Sequence, residues 1–149
     1  MTLAEIRLKL CELLNTITEL GKVWHYRRWT IHLDEIIELY RAGDVINAWE
    51  ISVSGDSEVD ISYPKTGVVT YEFRLFGYYS LVDKDATEIE FEKIVEKIKD
   101  TIRANRTLGG KAWTVEPATR EVFEPRIFVD ILVHYCEILI PVKVYKLVS

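Results

Sequence analysis

The sequence predicts an α+β fold, in which a mainly antiparallel sheet of about four strands is packed by two long amphipathic helices. Two long segments repeat apolar residues at the helical period, and four shorter segments alternate apolar and polar residues as half-buried strands do. The predicted order is helix, two strands, helix, two strands. Because the strands of each pair are close in sequence, we expect antiparallel neighbours with the helices on one face. A chain of 149 residues fits a single domain, residues 1–149.

The first long helix is predicted to begin at Leu3. Thr2 and Glu5 have the spacing of a capping box in front of it. Leucine and isoleucine then recur at helical spacing as far as Leu20, and the next residue is a glycine, which is typical of a helix end. A short second helical segment is predicted from Leu33 to Tyr40.

The first pair of strands is predicted on either side of a long polar loop. Alternation places Trp49, Ile51 and Val53 on one face of the first strand. Residues 54–67 are polar and contain two glycines and a proline, so we expect a loop there, and long ordered loops are often functional. Alternation resumes in residues 69–75, which are predicted as the second strand.

The second long helix is predicted to follow Asp85 and Glu88, which have the spacing of a capping pair. Its apolar residues extend from Ile89 to Ile102, and a Leu-Gly-Gly-Lys sequence ends it. A third strand is expected to begin at residues 113–115.

The end of the chain is predicted to form the last strand and a C-terminal arm. Residues 116–126 indicate a turn-rich connection, and the strand is expected to begin at Ile127 and to alternate as far as Tyr135. Pro141 is expected to interrupt its pairing, because proline lacks the backbone donor of a central strand. Residues 142–149 would then form an edge or a C-terminal arm.

Composition and charge exclude several classes of protein. The formal net charge of -5 argues against general affinity for nucleic acid, which needs a basic surface. The N-terminal residues lack the pattern of a secretory signal, and the longest apolar stretch, residues 138–144, is too short to cross a membrane. Cys11 and Cys136 are interpreted as buried thiols in a reducing compartment, with a bridge between them as the alternative.

No motif for catalysis, cofactor binding or metal binding is found in the sequence. The three histidines lack the spacing of a helical metal site, and His134 is interpreted as a partly exposed or hydrogen-bonded side chain. Asp83 and Asp85 match the first ligands of a calcium-binding EF-hand loop, but the required glycine is absent and Ile94 replaces the final glutamate. We therefore expect no catalytic residues, no cofactor and no metal, and a protein that is not an enzyme.

The stretch "VWHYRRW", residues 23–29, concentrates aromatic side chains and arginine. Three interpretations remain open. It could be the corner of a core in which Val23, Trp24 and Trp29 pack beneath the first helix while Arg27 and Arg28 face solvent. It could also be a protein interface, where tryptophan, tyrosine and arginine are enriched, or a nucleic-acid site. The acidic residues that follow dilute the basic patch and weaken the last interpretation.

The layout, the V-x-x-Y-x-R-W pattern of residues 23–29, the "LGG" after the second long helix and the closing "RIFVDILVHYCEILIPV" together resemble a known family. The chain is similar to the small neck and tail-completion proteins of tailed bacteriophages, and to the tail terminator family in particular. The similarity covers nearly the whole chain and depends on the layout and one loose motif.

This resemblance implies a structural virion protein whose subunits close into a homo-oligomeric, typically hexameric, ring at the head-proximal end of the tail tube. Such a ring ends polymerisation of the tube and provides the surface that joins the head. The implied partners are further copies of the chain, the tail tube protein and the head-tail connector or stopper, with DNA only as passing cargo and no membrane. The implied location is the virion, after assembly in the host cytoplasm.

A closed ring needs contacts between different surfaces of neighbouring copies. We expect these surfaces in the junction at residues 23–29, in the predicted loop and in the C-terminal arm. The candidate interface residues are Trp24, Tyr26, Arg27, Arg28, Trp29, Asp56, Glu58, Tyr63, Lys65, Lys143, Tyr145 and Lys146. The alternatives are a head-side completion or stopper protein of the same neck, and a soluble adaptor module that binds protein or nucleic acid.

Overall fold

The structure is a computed structural model, and it describes residues 2–28, 33–43, 45–62, 66–82, 85–110, 112, 114–128 and 130–147. Its helices are α1 (Leu3–Leu14), α2 (Leu33–Tyr40) and α3 (Thr87–Ala104). Its strands are β1 (Lys22–Trp24), β2 (Arg41–Ala42), β3 (Val45–Ser62), β4 (Thr66–Ser80), β5 (Thr114–Val115), β6 (Thr119–Phe128) and β7 (Ile131–Leu147).

The strands form one seven-stranded mixed sheet, so the predicted four-stranded sheet packed by two long helices is wrong. The strand order is β1-β3-β4-β7-β5, with β2 also paired to β3 and β6 also paired to β7. β1 runs parallel to β3, and all the other pairs are antiparallel. The prediction failed because β1, β2 and β6 lie in segments whose short or exposed pattern does not indicate a strand.

The first helix is shorter than predicted. The capping box is confirmed, because the Glu5 backbone N–H donates to the Thr2 hydroxyl at 3.2 Å and the Glu5 carboxylate accepts from the Thr2 backbone at 3.0 Å. However, α1 ends at Leu14. The apolar residues Ile17 and Leu20 lie in the turns that follow the helix, and their side chains are buried in the core. The apolar residues recur there because their side chains are buried, although the backbone is not helical.

The start of α3 also differs from the prediction. Ala86 is the N-cap residue in the left-handed conformation, and no side chain caps the helix. The predicted capping pair of Asp85 and Glu88 is therefore wrong. Ile89, which was predicted to lie on the apolar face, is 53% exposed. α2, in contrast, has the predicted bounds.

The predicted loop at residues 54–67 is a long hairpin. β3 continues to Ser62 and β4 begins at Thr66, so that only residues 63–65 lie outside the described part of the hairpin. Register shifts between Val53 and Gly55, and between Asp60 and Ser62, accommodate extra residues in β3. The segment is polar because much of this end of the hairpin is exposed on both faces. A strand exposed on both faces has no buried face that requires apolar residues at alternate positions.

The predicted turn-rich connection at residues 116–126 contains most of β6. A turn at Asp130, which has a φ of 64°, joins β6 to β7, so Ile127 belongs to β6 and does not begin the last strand. Pro141 does not interrupt the pairing of β7. It lies opposite Glu72 in an unshifted register, and its carbonyl accepts from the Glu116 backbone N–H at 2.8 Å. Residues 142–147 of the predicted arm pair with β4.

The two faces of the sheet carry cores of different size. α1 and α3 cover the α1/α3 face, where the largest fully buried side chains include Trp49, Phe73 and Phe91. α2 covers part of the α2 face, over a smaller cluster that contains Tyr40, Tyr78, Phe76, Tyr135 and Val133. Both cysteines are buried free thiols. No helix within the described residues is long and apolar enough to span a membrane.

Candidate subunit interface

Hydrogen bonds fix the junction at residues 23–29 to two helices. Its first residues form β1, and the indole N–H of Trp24 donates to the Leu39 carbonyl of α2 at 3.0 Å. The Arg7 guanidinium of α1 donates to the His25 carbonyl at 3.0 Å. The junction is therefore partly a corner of the fold, but Trp24 bonds to α2, whereas the core-corner interpretation placed it beneath the first helix. Trp29 lies outside the described residues.

A fully buried carboxylate, Glu50 on the α2 face of β3, lies beneath the junction. Its Oε2 accepts the Arg28 backbone N–H at 2.6 Å and the Tyr40 hydroxyl at 2.5 Å. Its Oε1 receives no hydrogen bond from the described residues, and the Arg27 Nε lies 3.3 Å away as an ion-pair partner. The Tyr40 hydroxyl is protonated at neutral pH, and burial, followed by the hydrogen bond to Glu50, raises its pKa further.

The two arginines of the junction have different environments. The Arg27 guanidinium lies 3.8 Å from the centre of the Phe76 ring, and its Nη2 is 3.5 Å from the Tyr78 hydroxyl. The Arg27 side chain is 46% exposed, but its charged group faces Glu50. Arg27 therefore supports the fold, and the part of the junction best placed for a partner is the exposed Tyr26 with the partly buried Arg28 beside it.

Arg28 stacks on aromatic side chains of the junction itself. Its guanidinium lies 4.3 Å from the Trp24 ring and 5.1 Å from the Tyr26 ring. Tyr26 is 43% exposed, so this stack leaves an aromatic and cationic surface at the protein exterior. Stacked aromatic and arginine side chains of this kind are common in protein interfaces.

The candidate residues of the predicted loop lie on the hairpin. Asp56 and Glu58 are exposed and lie opposite Tyr71 and Val69, which places both carboxylates on the α1/α3 face. Within the described residues, neither makes an ion pair. The remaining two candidates, Tyr63 and Lys65, lie outside the described residues.

The candidate residues near the C-terminal end are divided between the two faces of β7. Lys143 makes an ion pair with Glu116 at 2.9 Å. The Lys146 amino group lies 5.9 Å from the Tyr71 ring on the α1/α3 face. Tyr145 is 45% exposed on the α2 face. The structure therefore does not bring these residues together with the junction in one site.

The structure has two exposed apolar patches, of which the sequence predicted only Tyr145 as an interface residue. The distal patch consists of Val59, Val68 and Tyr145, which are direct neighbours across β3, β4 and β7 on the α2 face. Val59 is 63% exposed, and Val68 forms the buried floor between the two other side chains. Alternation in a strand does not show which of two apolar faces is covered, so the sequence could not reveal this patch.

The proximal patch consists of Ile89, Ile127 and Leu132 at the other end of the sheet. Ile127 and Leu132 are paired across β6 and β7 on the α1/α3 face, with 76% and 48% of their surface exposed. Ile89 lines a pocket with Pro125, and Pro125 precedes Ile127 by two residues on the same face. Pro125 and His134, the next residues on this face beside Ile127 and Leu132, line the same opening as Ile89.

This opening is a pocket of about 360 Å³ between the start of α3 and the β6–β7 hairpin. At its wall, the His134 Nε2 lies 2.8 Å from the Thr87 hydroxyl, and the imidazole ring stacks on Phe91. Burial lowers the pKa of His134, and the nearby Glu88 opposes this shift. Neutral imidazole is therefore favoured at neutral pH. The described residues contain no group of three metal-binding side chains.

Among the described residues, five of the eight exposed large apolar side chains belong to these two patches, and Leu8, Tyr26 and Val45 lie elsewhere. Such patches mark contact surfaces on soluble proteins. No protein-family model and no curated protein matches this chain.

Proposed function

We propose that the protein is a structural subunit that closes into a homo-oligomeric ring through contact between the distal patch of one copy and the proximal patch of the next. The observation that carries this proposal is the position of the two patches at opposite ends and on opposite faces of one sheet. Along β7, Leu132 and Tyr145 are roughly 43 Å apart at about 3.3 Å per residue. The two patches of one copy are therefore too far apart to cover each other.

A contact between two different patches has a simple geometric consequence. Each copy uses one patch toward each neighbour, so the contact is heterologous; it gives a ring where the rotation between copies closes and an open filament where it does not. Exposed apolar side chains supply the favourable free energy of the contact, because association removes them from water. A single patch that paired with the same patch of a second copy would instead give a two-fold symmetric dimer.

The resemblance to phage tail terminators gives this ring a biological setting. We propose that the ring, hexameric in that family, ends the tail tube at its head-proximal side and meets the connector or stopper on its other side. The exposed Tyr26 and the partly buried Arg28 that stacks on it would then serve contacts outside the ring. In this arrangement DNA passes through the lumen, and the net charge of -5 is compatible with weak retention of DNA.

Native mass spectrometry and light scattering over a wide concentration range test the ring. We expect wild-type protein to give a discrete closed oligomer, and Tyr145→Glu and Ile127→Glu each to give monomers, because each variant loses one patch. A mixture of the two variants should give a heterodimer and nothing larger, since one intact patch remains on each copy. Leu8→Glu is the matched control, because Leu8 is 49% exposed on α1 away from both patches.

Three results would refute the head-to-tail contact. These are a wild-type monomer at every concentration, a single variant that still dimerises with itself, and a mixture that does not associate. The phage assignment has its own test, which is capture of the wild-type ring on the ends of purified tail tubes. A ring that ignores tube ends would leave the oligomer in place and refute the terminator function.

A further inference from the structure

The two outer edges of the sheet have different features. The outer edge at β6 has the protection that natural edge strands use against association. Pro125 removes a backbone donor, and a register shift lies between Arg120 and Val122. Ion pairs from Arg74 to Glu121 at 2.6 Å and from Arg126 to Glu124 at 2.7 Å occupy its charged side chains.

The opposite edge belongs to β3, and much of it has a strand neighbour on one side only. β1 pairs with residues 48–50, and β2 pairs with residues 45–46. Residues 53–62 pair with β4 on one side and, among the described residues, with no strand on the other. This segment contains neither proline nor lysine. Register shifts between Val53 and Gly55 and between Asp60 and Ser62 interrupt its two ends, and residues 55–60 between them run in unbroken register over roughly 20 Å. Its outward backbone groups can therefore accept an added strand.

The charges along this edge select the kind of strand that can be added. Asp56 and Glu58 are exposed on the same face and have no ion pair among the described residues. Glu72 is an exposed acidic neighbour on the other face, opposite Gly55. A second copy of the same edge would bring carboxylates beside carboxylates, which is unfavourable in cross-strand pairs. Lysine or arginine at alternate positions would instead meet both acidic side chains.

We propose that residues 53–62 of β3 bind an extended, positively charged segment of a partner protein as an additional strand of the sheet. Backbone hydrogen bonds would supply the affinity, and basic side chains at positions i and i+2 would pair with Asp56 and Glu58. The added strand lies in the plane of the sheet, whereas the distal patch faces away from that plane. This inference goes beyond the ring and does not depend on it.

Fluorescence anisotropy with short peptides tests the proposal on the full chain. The probe is a labelled peptide that alternates lysine and valine over about nine residues, a typical strand length. We expect saturable binding that weakens as salt increases. The charge-swapped variant Asp56→Lys with Glu58→Lys should bind this peptide about tenfold more weakly and should bind a glutamate-valine peptide instead.

Two controls separate strand addition from simple charge attraction. A lysine peptide with proline in place of valine keeps its charge but loses backbone donors, so we expect no binding. The variant Glu92→Lys with Glu96→Lys changes the net charge equally on exposed positions of α3 and should bind like wild type. Hydrogen exchange should slow in residues 53–62 when the lysine-valine peptide is bound.

Equal binding of the proline peptide would overturn the proposal, because the attraction would then be electrostatic only. It would also be overturned if both double variants lost affinity equally, or if no alternating peptide bound. The monomeric Tyr145→Glu variant should still bind the lysine-valine peptide. Failure of the ring and failure of the added strand are therefore distinguishable.

Discussion

Removal of the positive charge of Arg27 is expected to destabilise the subunit through Glu50. The substitution Arg27→Met keeps much of the packing against Phe76 and removes the ion-pair partner of a carboxylate that is 0% exposed. Loss of one partner of a buried ion pair costs about 3–5 kcal/mol. Arg27 is half exposed and Glu50 retains two hydrogen bonds, so we expect about 2–3 kcal/mol here.

A double-mutant cycle isolates this interaction. Glu50→Gln keeps an oxygen acceptor for the Arg28 backbone N–H and the Tyr40 hydroxyl but removes the charge. In that background, Arg27→Met should cost under about 1 kcal/mol, which gives a coupling free energy near 2 kcal/mol. Arg28→Met is the matched control, because only the backbone of Arg28 contacts Glu50.

Urea unfolding measured by tryptophan fluorescence supplies these free energies. The measurements belong in the Tyr145→Glu background, because assembly would otherwise add to the apparent stability of the subunit. A coupling free energy below about 0.5 kcal/mol would show that Arg27 and Glu50 act independently and would refute the ion-pair argument. A larger loss from Arg28→Met than from Arg27→Met would refute the distinction between the two arginines.

Two further predictions concern the α1/α3 face. Gly77→Ala would place a Cβ 2.3 Å from the Trp49 ring and 2.8 Å from the Cys136 sulfur, so we expect a loss of about 3 kcal/mol in urea unfolding. Gly55→Ala meets only a flexible carboxylate and should cost far less, whereas equal costs would show that the Trp49 ring can move. Burial lowers the pKa of His134, so the unfolded chain takes up a proton first and stability should fall as pH drops below about 6.5. His134→Gln should reduce this loss below about pH 6.5, and an unchanged pH profile would contradict the assignment.

The sequence predicted the elements whose apolar side chains face one large core. The periodic residues of α1 and α3 and the alternation around Trp49 lie on the α1/α3 face, where burial is extensive. It did not predict the hairpin end at residues 54–67, because strands exposed to water carry no apolar alternation. A polar composition there indicates exposure and does not distinguish a loop from a strand.

The candidate site was predicted only in part, for a related reason. Alternation placed Glu50 on the polar face of its strand, and that face is buried because α2 and the junction cover it. Such coverage depends on contacts between segments far apart in sequence. The same dependence hid the proximal patch, since Ile127 and Leu132 are apolar like core residues but remain exposed.

The central position of β7 has a consequence for how the chain folds. β7 follows every other described element and pairs with β4, β5 and β6. The sheet therefore cannot form these three pairings until β7 is present. Until β7 arrives, the β3–β4 hairpin exposes a second unpaired edge, the kind of surface on which nascent chains aggregate. The pairing of β7 with β4 joins segments far apart in sequence, and such pairing is slow compared with local contacts. The incomplete chain is therefore the state in which a chaperone would matter most.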